Sequence, residues 1–75
     1  MPTYFRSGHV QVRMFNGDHN PPHLHVWTPE SEIRVSLADL SILKGKISTQ
    51  DYEVAMEWVR DNIGFLRTEW NRMNG

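Results

Sequence analysis

Three short segments of the sequence alternate between apolar and polar residues, and this alternation is the strongest constraint on the fold. The segments are Val10–Phe15, His23–Thr28 and Glu32–Leu37. Side chains two residues apart in a β-strand share one face of the sheet, so a period of two predicts half-buried strands. Turn-forming residues separate the segments, at Asn16-Gly17 and at Pro29-Glu30-Ser31. Together these features predict an antiparallel meander. A short further strand over Ser41–Leu43 would give the sheet three to four strands.

The second half of the chain has the pattern of a helix. Ser48 can cap the helix through its hydroxyl group, with Asp51 at the third helical position. Apolar residues then recur at steps of four and three residues, which places them in one helical stripe; they are Tyr52, Met56, Val59, Ile63, Leu66, Trp70 and Met73. Gly64 costs a helix interior about 1 kcal/mol relative to alanine. We therefore expect one long or kinked helix, with two helices as the alternative.

These patterns predict a single α+β domain over residues 1–75, with the sheet in residues 1–45 packed against a helical region in residues 48–73. A chain of 75 residues buries only about 60% of the surface that its unfolded form exposes. A second apolar stripe, formed by Val54, Trp58 and Phe65, is therefore predicted to contact a small cognate protein or a second copy of the chain.

Composition excludes several kinds of site. The sequence has no cysteine, so it forms no disulfide, no thiolate zinc site and no cysteine nucleophile. Its formal net charge of -1 provides no global basic field for nucleic acid, so RNA would have to bind a local patch. No apolar run has the length of a membrane span and no signal peptide is recognisable. We therefore expect a cytoplasmic protein with no membrane partner.

The segment from Asp18 to His25 contains the chemically active side chains. His23 and His25 share a strand face with Trp27, because they are two residues apart. If the three predicted strands pair, their outward residues join the same face; these are Gln11, Arg13 and Phe15 from the first strand, and Glu32, Arg34 and Ser36 from the third. The predicted face therefore combines imidazoles, guanidinium groups and aromatic rings.

Three interpretations of this face are open. In the first, imidazoles act as general acid and base, arginines stabilise a phosphate, and aromatic rings stack a base, as in a metal-independent endoribonuclease. Its catalytic residues would be His23, His25, His19, Arg13 and Arg34, and its binding residues Asp18, Asn20, Phe15 and Trp27. In the second, His23 and His25 bind a zinc-like ion with Asp18, or with His19 or His9. In the third, Asp18 and Asn20 only bond the turn backbone, and the imidazoles only cover the sheet. We expect no cofactor, with the metal site as the alternative.

The motif Asp18-His19-Asn20-Pro21-Pro22-His23-x-His25 resembles that of a family of short bacterial proteins, the domain of unknown function DUF4160. Met1-Pro2-Thr3, Arg6, Glu57-Trp58 and Trp70 extend the resemblance. The chain departs from the family near Ile63-Gly64-Phe65, where relatives tend to be charged. The family has no established reaction, but its members are often encoded beside another small protein, which implies a toxin–antitoxin arrangement. We therefore expect a toxin-like component that acts on RNA. The alternative is a non-enzymatic, antitoxin-like or regulatory protein-binding module.

Overall fold

The protein consists of a five-stranded antiparallel sheet followed by two helices. The structure is a computed structural model and describes residues 3–74. In chain order the elements are β1 (Thr3–Ser7), β2 (Val10–Arg13), β3 (His23–Trp27), β4 (Glu32–Ser36), β5 (Ile42–Gly45), α1 (Thr49–Asp61) and α2 (Ile63–Asn74). The strands lie side by side in their order along the chain. The predicted α+β meander is confirmed.

The sheet has five strands rather than the three to four predicted. Strand β1 was missed because Tyr4 and Phe5 are adjacent, and a register shift between Thr3 and Phe5 interrupts its pairing with β2. Strand β5 begins one residue later than predicted and extends to Gly45. All four of its residues are exposed, so it has no buried period that a sequence pattern could reveal.

The core lies between one face of the sheet and the two helices. In each of the three alternating segments, the side chains that alternate with the outward-facing ones are buried. Thr28 is the polar one among them; the apolar ones are Val10, Val12, Met14, Leu24, Val26, Ile33, Val35 and Leu37. Ala55, Met56 and Val59 from α1 and Leu66 and Trp70 from α2 complete the cluster. The opposite face of the sheet is therefore left to the polar residues of β2, β3 and β4.

The helical region is divided into two helices at Asn62. Ser48 caps α1 as predicted, because its hydroxyl accepts a 3.2 Å hydrogen bond from the backbone N–H of Asp51. At the other end, the side-chain amide of Asn62 donates to the carbonyl oxygen of Trp58 at 2.8 Å, and α2 begins at the next residue. Gly64 therefore lies in the first turn of α2 rather than inside one long helix.

The second apolar stripe is only partly covered by the rest of the chain. Trp58 stacks on Phe5 of β1 with ring centroids 5.1 Å apart, and Val54 is half-buried beside it. Phe65 makes an edge contact with Tyr4 at 6.0 Å but is 51% exposed. Contact with a cognate protein or a second copy through this stripe stays a prediction. Neither α1 nor α2 is long and apolar enough to cross a membrane.

Gly45 is the glycine on which the sheet edge depends most. Its φ is +92°, and a Cβ atom at this position would overlap the carbonyl oxygen of Glu32 in the neighbouring strand. We expect Gly45→Ala to lower the free energy of unfolding by roughly 1–3 kcal/mol, because it adds backbone strain and a clash. Gly64→Ala is the matched control, since a Cβ atom there meets nothing within 4 Å. Urea unfolding of both variants tests this, and equal stability of the two would contradict it.

Candidate functional site

The pairing of β2, β3 and β4 places three of the predicted site residues, Arg13, His25 and Arg34, on one face of the sheet. Arg13 lies directly opposite His25, and His25 lies directly opposite Arg34 on its other side. Directly opposite residues of antiparallel strands share a face. Phe15 follows β2 rather than lying within it, and its ring contacts His25 edge-on with centroids 4.7 Å apart.

The imidazoles on this face are buried, which the sequence did not predict. His23 is 2% exposed and His25 is 7% exposed. The connection between β2 and β3, residues 14–22, folds back so that Asp18 and Phe15 contact the imidazoles. From the helical side, the Trp70 ring lies 5.2 Å from that of His23. The two histidines are therefore covered by the rest of the chain and do not line an open cleft.

The backbone fixes which nitrogen of His23 carries a proton. Its Nδ1 lies 2.7 Å from the carbonyl oxygen of Pro21. A carbonyl oxygen can only accept a hydrogen bond, so Nδ1 must be the donor. In the neutral imidazole, Nε2 then carries a lone pair and no proton.

Glu32 fixes the tautomer of His25 in the same way. The Nδ1 atom of His25 lies 2.8 Å from Glu32 Oε2. An ionised carboxylate only accepts hydrogen bonds, so Nδ1 again donates. The Nε2 atom of His25 is therefore also the lone-pair nitrogen when the ring is neutral.

The two Nε2 atoms converge on one oxygen of Asp18. Asp18 Oδ2 lies 2.9 Å from Nε2 of His23 and 3.3 Å from Nε2 of His25. Each of the three residues offers one ligand atom, and these atoms all lie within 4.8 Å of one another. Two lone pairs and a carboxylate at these distances repel one another unless a cation, either a proton or a metal ion, lies among them.

The geometry at His23 favours a metal ion over a proton. Although Nε2 of His23 is 2.9 Å from Asp18 Oδ2, the atom is buried and makes no aligned hydrogen bond to any described residue. A proton on this nitrogen would therefore not be directed at the carboxylate. His25 differs, because its Nε2 does meet hydrogen-bond geometry to Asp18 at 3.3 Å. A proton between His25 Nε2 and Asp18 would satisfy those two atoms. It would still leave the buried Nε2 of His23 without a hydrogen-bond partner, and a buried polar atom without a partner costs free energy.

Asp18 is held in its ionised form. Burial raises the pKa of its carboxyl group, but the hydrogen bonds with His25 and with the backbone N–H of His19, together with the electrostatic influence of the two nearby imidazoles, outweigh that effect. The pKa of Asp18 therefore lies below its usual value. An ionised carboxylate at neutral pH is the form that binds a metal ion.

The remaining predicted residues divide into neighbours of this cluster and residues outside it. His19 is exposed, with Nδ1 3.4 Å from Asp18 Oδ1, and Asn20 is exposed before the cis Asn20–Pro21 peptide bond. His9 lies elsewhere, with Nε2 2.9 Å from a carboxylate oxygen of Asp51, so the structure does not bring it to the cluster.

Arg13 and Trp27 pack against each other on the same face. The guanidinium carbon of Arg13 lies 4.2 Å from the centroid of the Trp27 ring. Arg13 also donates to the side-chain oxygen of Gln11 from Nε at 2.9 Å and from Nη2 at 2.6 Å. Arg13 therefore covers the ring that was predicted to stack a base directly.

Three contributors to the site were not among the predicted site residues. They are the carbonyl of Pro21, the carboxylate of Glu32 and the ring of Trp70. The sequence placed Glu32 on this face but gave it no role in the site; the register, in which it lies opposite Trp27, makes it the diagonal neighbour of His25. Trp70 gave no such signal, since only the tertiary packing of α2 brings it to His23.

The segment that matches a known family includes the whole cluster of Asp18, His23 and His25. A family model described as "Domain of unknown function (DUF4160)" matches residues 10–71. The chain belongs to the DUF4160 family. No curated protein and no solved structure gives a significant match. In this DUF4160 domain the match extends from β2 into α2, and so it contains Asp18, His23 and His25.

The tautomers can be measured directly. We expect the neutral rings of His23 and His25 to be protonated at Nδ1, because Pro21 and Glu32 accept hydrogen bonds there. His9 is an internal control, because its Nε2 contacts Asp51 and its neutral ring should be protonated at Nε2. Long-range ¹H–¹⁵N correlation spectra of chelator-treated protein at about pH 8.5, above the ordinary imidazole pKa of about 6.5, distinguish the two forms. Nε2 protonation of His23 would contradict the assigned geometry.

Proposed function

We propose that this DUF4160 domain binds one divalent transition-metal ion through Asp18, His23 and His25. The observation that carries this proposal is the convergence of two imidazole Nε2 atoms on one carboxylate oxygen, while each Nδ1 lies beside a hydrogen-bond acceptor. Two imidazole nitrogens and one carboxylate oxygen form a donor set suited to zinc and to other first-row transition metals. The bound ion would also hold residues 14–22 against the sheet.

The surroundings of the two imidazoles support the proposal. Histidines that bind metals almost always donate their other ring N–H to a carboxylate or a backbone carbonyl, which fixes the orientation of the ring. Here Glu32 accepts from His25 and Pro21 accepts from His23. Each imidazole therefore has the kind of hydrogen-bond acceptor at Nδ1 that orients a metal-binding histidine. For His23 it is a backbone carbonyl two residues away, and for His25 it is a carboxylate on the neighbouring strand.

The spacing of the donor atoms also supports it. Zinc bonds of about 2.0–2.1 Å in a tetrahedron place ligand atoms roughly 3.3 Å apart. Asp18 Oδ2 lies 2.9 Å from one Nε2 and 3.3 Å from the other. Three protein donors leave a fourth position for water or for another ligand. The exposed ring of His19 lies next to Asp18, with its centroid 6.0 Å from that of His23.

A toxin-like role in a two-protein module, with RNA as the target, stays a prediction from the sequence, and so does a cytoplasmic location. In the metal-independent mechanism that we expected, His23 and His25 would exchange protons with a ribose and a leaving group. Their burial and their contacts with Pro21, Glu32 and Asp18 favour the metal-binding alternative instead. Binding of a cognate protein partner is compatible with both metal binding and action on RNA.

Metal titration tests the proposed function. We expect chelator-treated protein to bind one zinc ion per chain, and to gain about 2.7 kcal/mol of stability when free zinc is a hundredfold above its Kd. Asp18→Asn, which replaces an anionic carboxylate by a neutral amide, and His25→Ala, which removes a donor nitrogen, should each weaken binding by roughly 10²-fold or more. Glu32→Gln should weaken it by about 10–100-fold through the orientation of His25. Calorimetry and thermal unfolding provide the two readouts.

His9→Ala is the matched control for these variants. It removes an imidazole that also contacts a carboxylate, but one that lies outside the cluster. Its zinc affinity should equal that of the unmodified chain. If the unmodified chain binds no zinc, or if His9→Ala weakens binding as much as His25→Ala does, the proposed site is wrong.

A further inference from the structure

A row of basic side chains crosses the polar face of the sheet. Arg13 on β2 lies opposite His25 on β3, His25 lies opposite Arg34 on β4, and Arg34 lies opposite Lys44 on β5. Directly opposite residues share a face. Neighbouring strands are about 4.8 Å apart, so the row is roughly 14 Å long. The row is thus longer than a pocket for one small molecule, with the buried His25 between Arg13 and Arg34.

Arg34 and Lys44 form an unneutralised pair within this row. Like charges directly opposite each other on neighbouring strands are destabilising. Among residues 3–74, no carboxylate forms an ion pair with either side chain, and neither takes part in a side-chain hydrogen bond. Arg34 is half-buried, so water solvates its charge incompletely. A bound anion would relieve the repulsion.

The surface between these two residues has room for such an anion. A depression of about 210 Å³ lies there, lined also by Glu32, Ile33 and Gly45. Glu32 is the acidic residue in the lining, and one of its carboxylate oxygens already accepts a hydrogen bond from His25. Arg34 and Lys44 therefore supply two positive charges against the one negative charge of Glu32, which leaves the depression with a net positive charge.

Arg13 adds a stacking surface at the other end of the row. Its guanidinium lies 4.2 Å above the Trp27 ring and is held there by Gln11. Guanidinium planes that are fixed in this way stack the unpaired bases of single-stranded nucleic acid. Cations that contact the backbone, combined with a stacking surface, are the usual means of binding single strands.

We infer that Arg34 and Lys44 bind the phosphodiester backbone of single-stranded nucleic acid, and that Arg13 stacks one of its bases. The site does not require the metal ion of the proposed function. The net charge of the chain is -1, so the binding depends on this local row rather than on an overall positive field.

Fluorescence anisotropy with a labelled twelve-nucleotide oligouridylate tests this inference. The protein is kept in chelator, so that the result is independent of metal binding, and the salt concentration is about 50 mM because contacts with phosphate weaken steeply with salt. Arg34→Gln and Lys44→Gln should each lower the affinity about three- to tenfold and reduce the slope against log salt by about 0.7. Arg34→Lys should retain binding. Circular dichroism confirms that each variant is folded.

Arg60→Gln is the matched control, because it removes the same charge from the exposed part of α1 and should leave the affinity unchanged. Oligothymidylate and uridine monophosphate are the comparison ligands. Equal binding of the RNA and DNA strands supports recognition of the backbone, and tighter RNA binding supports an added contact with the 2′-hydroxyl. No binding at 50 mM salt, an equal loss in Arg60→Gln, or equal affinity for the mononucleotide would overturn the inference.

Discussion

The register of β3 against its two neighbours determines both the core and the polar face. In this register Leu24 and Val26 lie on the side of the helices, while His25 lies between Arg13 and Arg34 on the other side. A slip of one residue would exchange the two faces of the strand. It would put the imidazoles on the side of the helices and expose the aliphatic residues. Burial of the aliphatic face thus fixes the position of the imidazoles, even though they contribute little to the apolar core.

The sequence predicted the parts of the fold that have a clear local period. The alternation in β2, β3 and β4 located three strands and the face shared by Arg13, His25 and Arg34, and Ser48 located the start of α1. Of the two edge strands, β1 was missed and the start of β5 was displaced by one residue, for different reasons. Strand β1 contains a register shift, and β5 is exposed along its whole length. Neither case produces the buried period of two on which such a prediction depends.

The sequence could predict which residues form the candidate site, but not how deeply they are buried or what surrounds them. The spacing of His23 and His25 gave their common face, but their burial depends on where residues 14–22 fold and on where α2 places Trp70. Both are tertiary contacts between distant parts of the chain. The chemical interpretation changed for this reason. An exposed imidazole can exchange protons with a substrate, whereas a buried one with both nitrogens near fixed acceptors can do so only if the cover moves.

The size of the domain gives the proposed metal site a structural role as well. Small domains without a large core usually rely on disulfides, metals or association with another chain, and this chain has no cysteine. In the connection between β2 and β3, Met14 is buried in the core, but the residues on both sides of Asp18 are exposed and bury little apolar surface. Met14 and a 3.0 Å hydrogen bond from the backbone N–H of Leu37 to the carbonyl oxygen of Pro22 anchor the two ends of the connection. Asp18 and the ring of Phe15 attach the part between them to the histidines of β3. An ion held by Asp18, His23 and His25 would join this connection to β3, and through Glu32 the constraint would extend to β4. The same ion would hold Phe15 against His25. The order of the polar face would then depend on the metal, while the aliphatic face would be held by the helices alone.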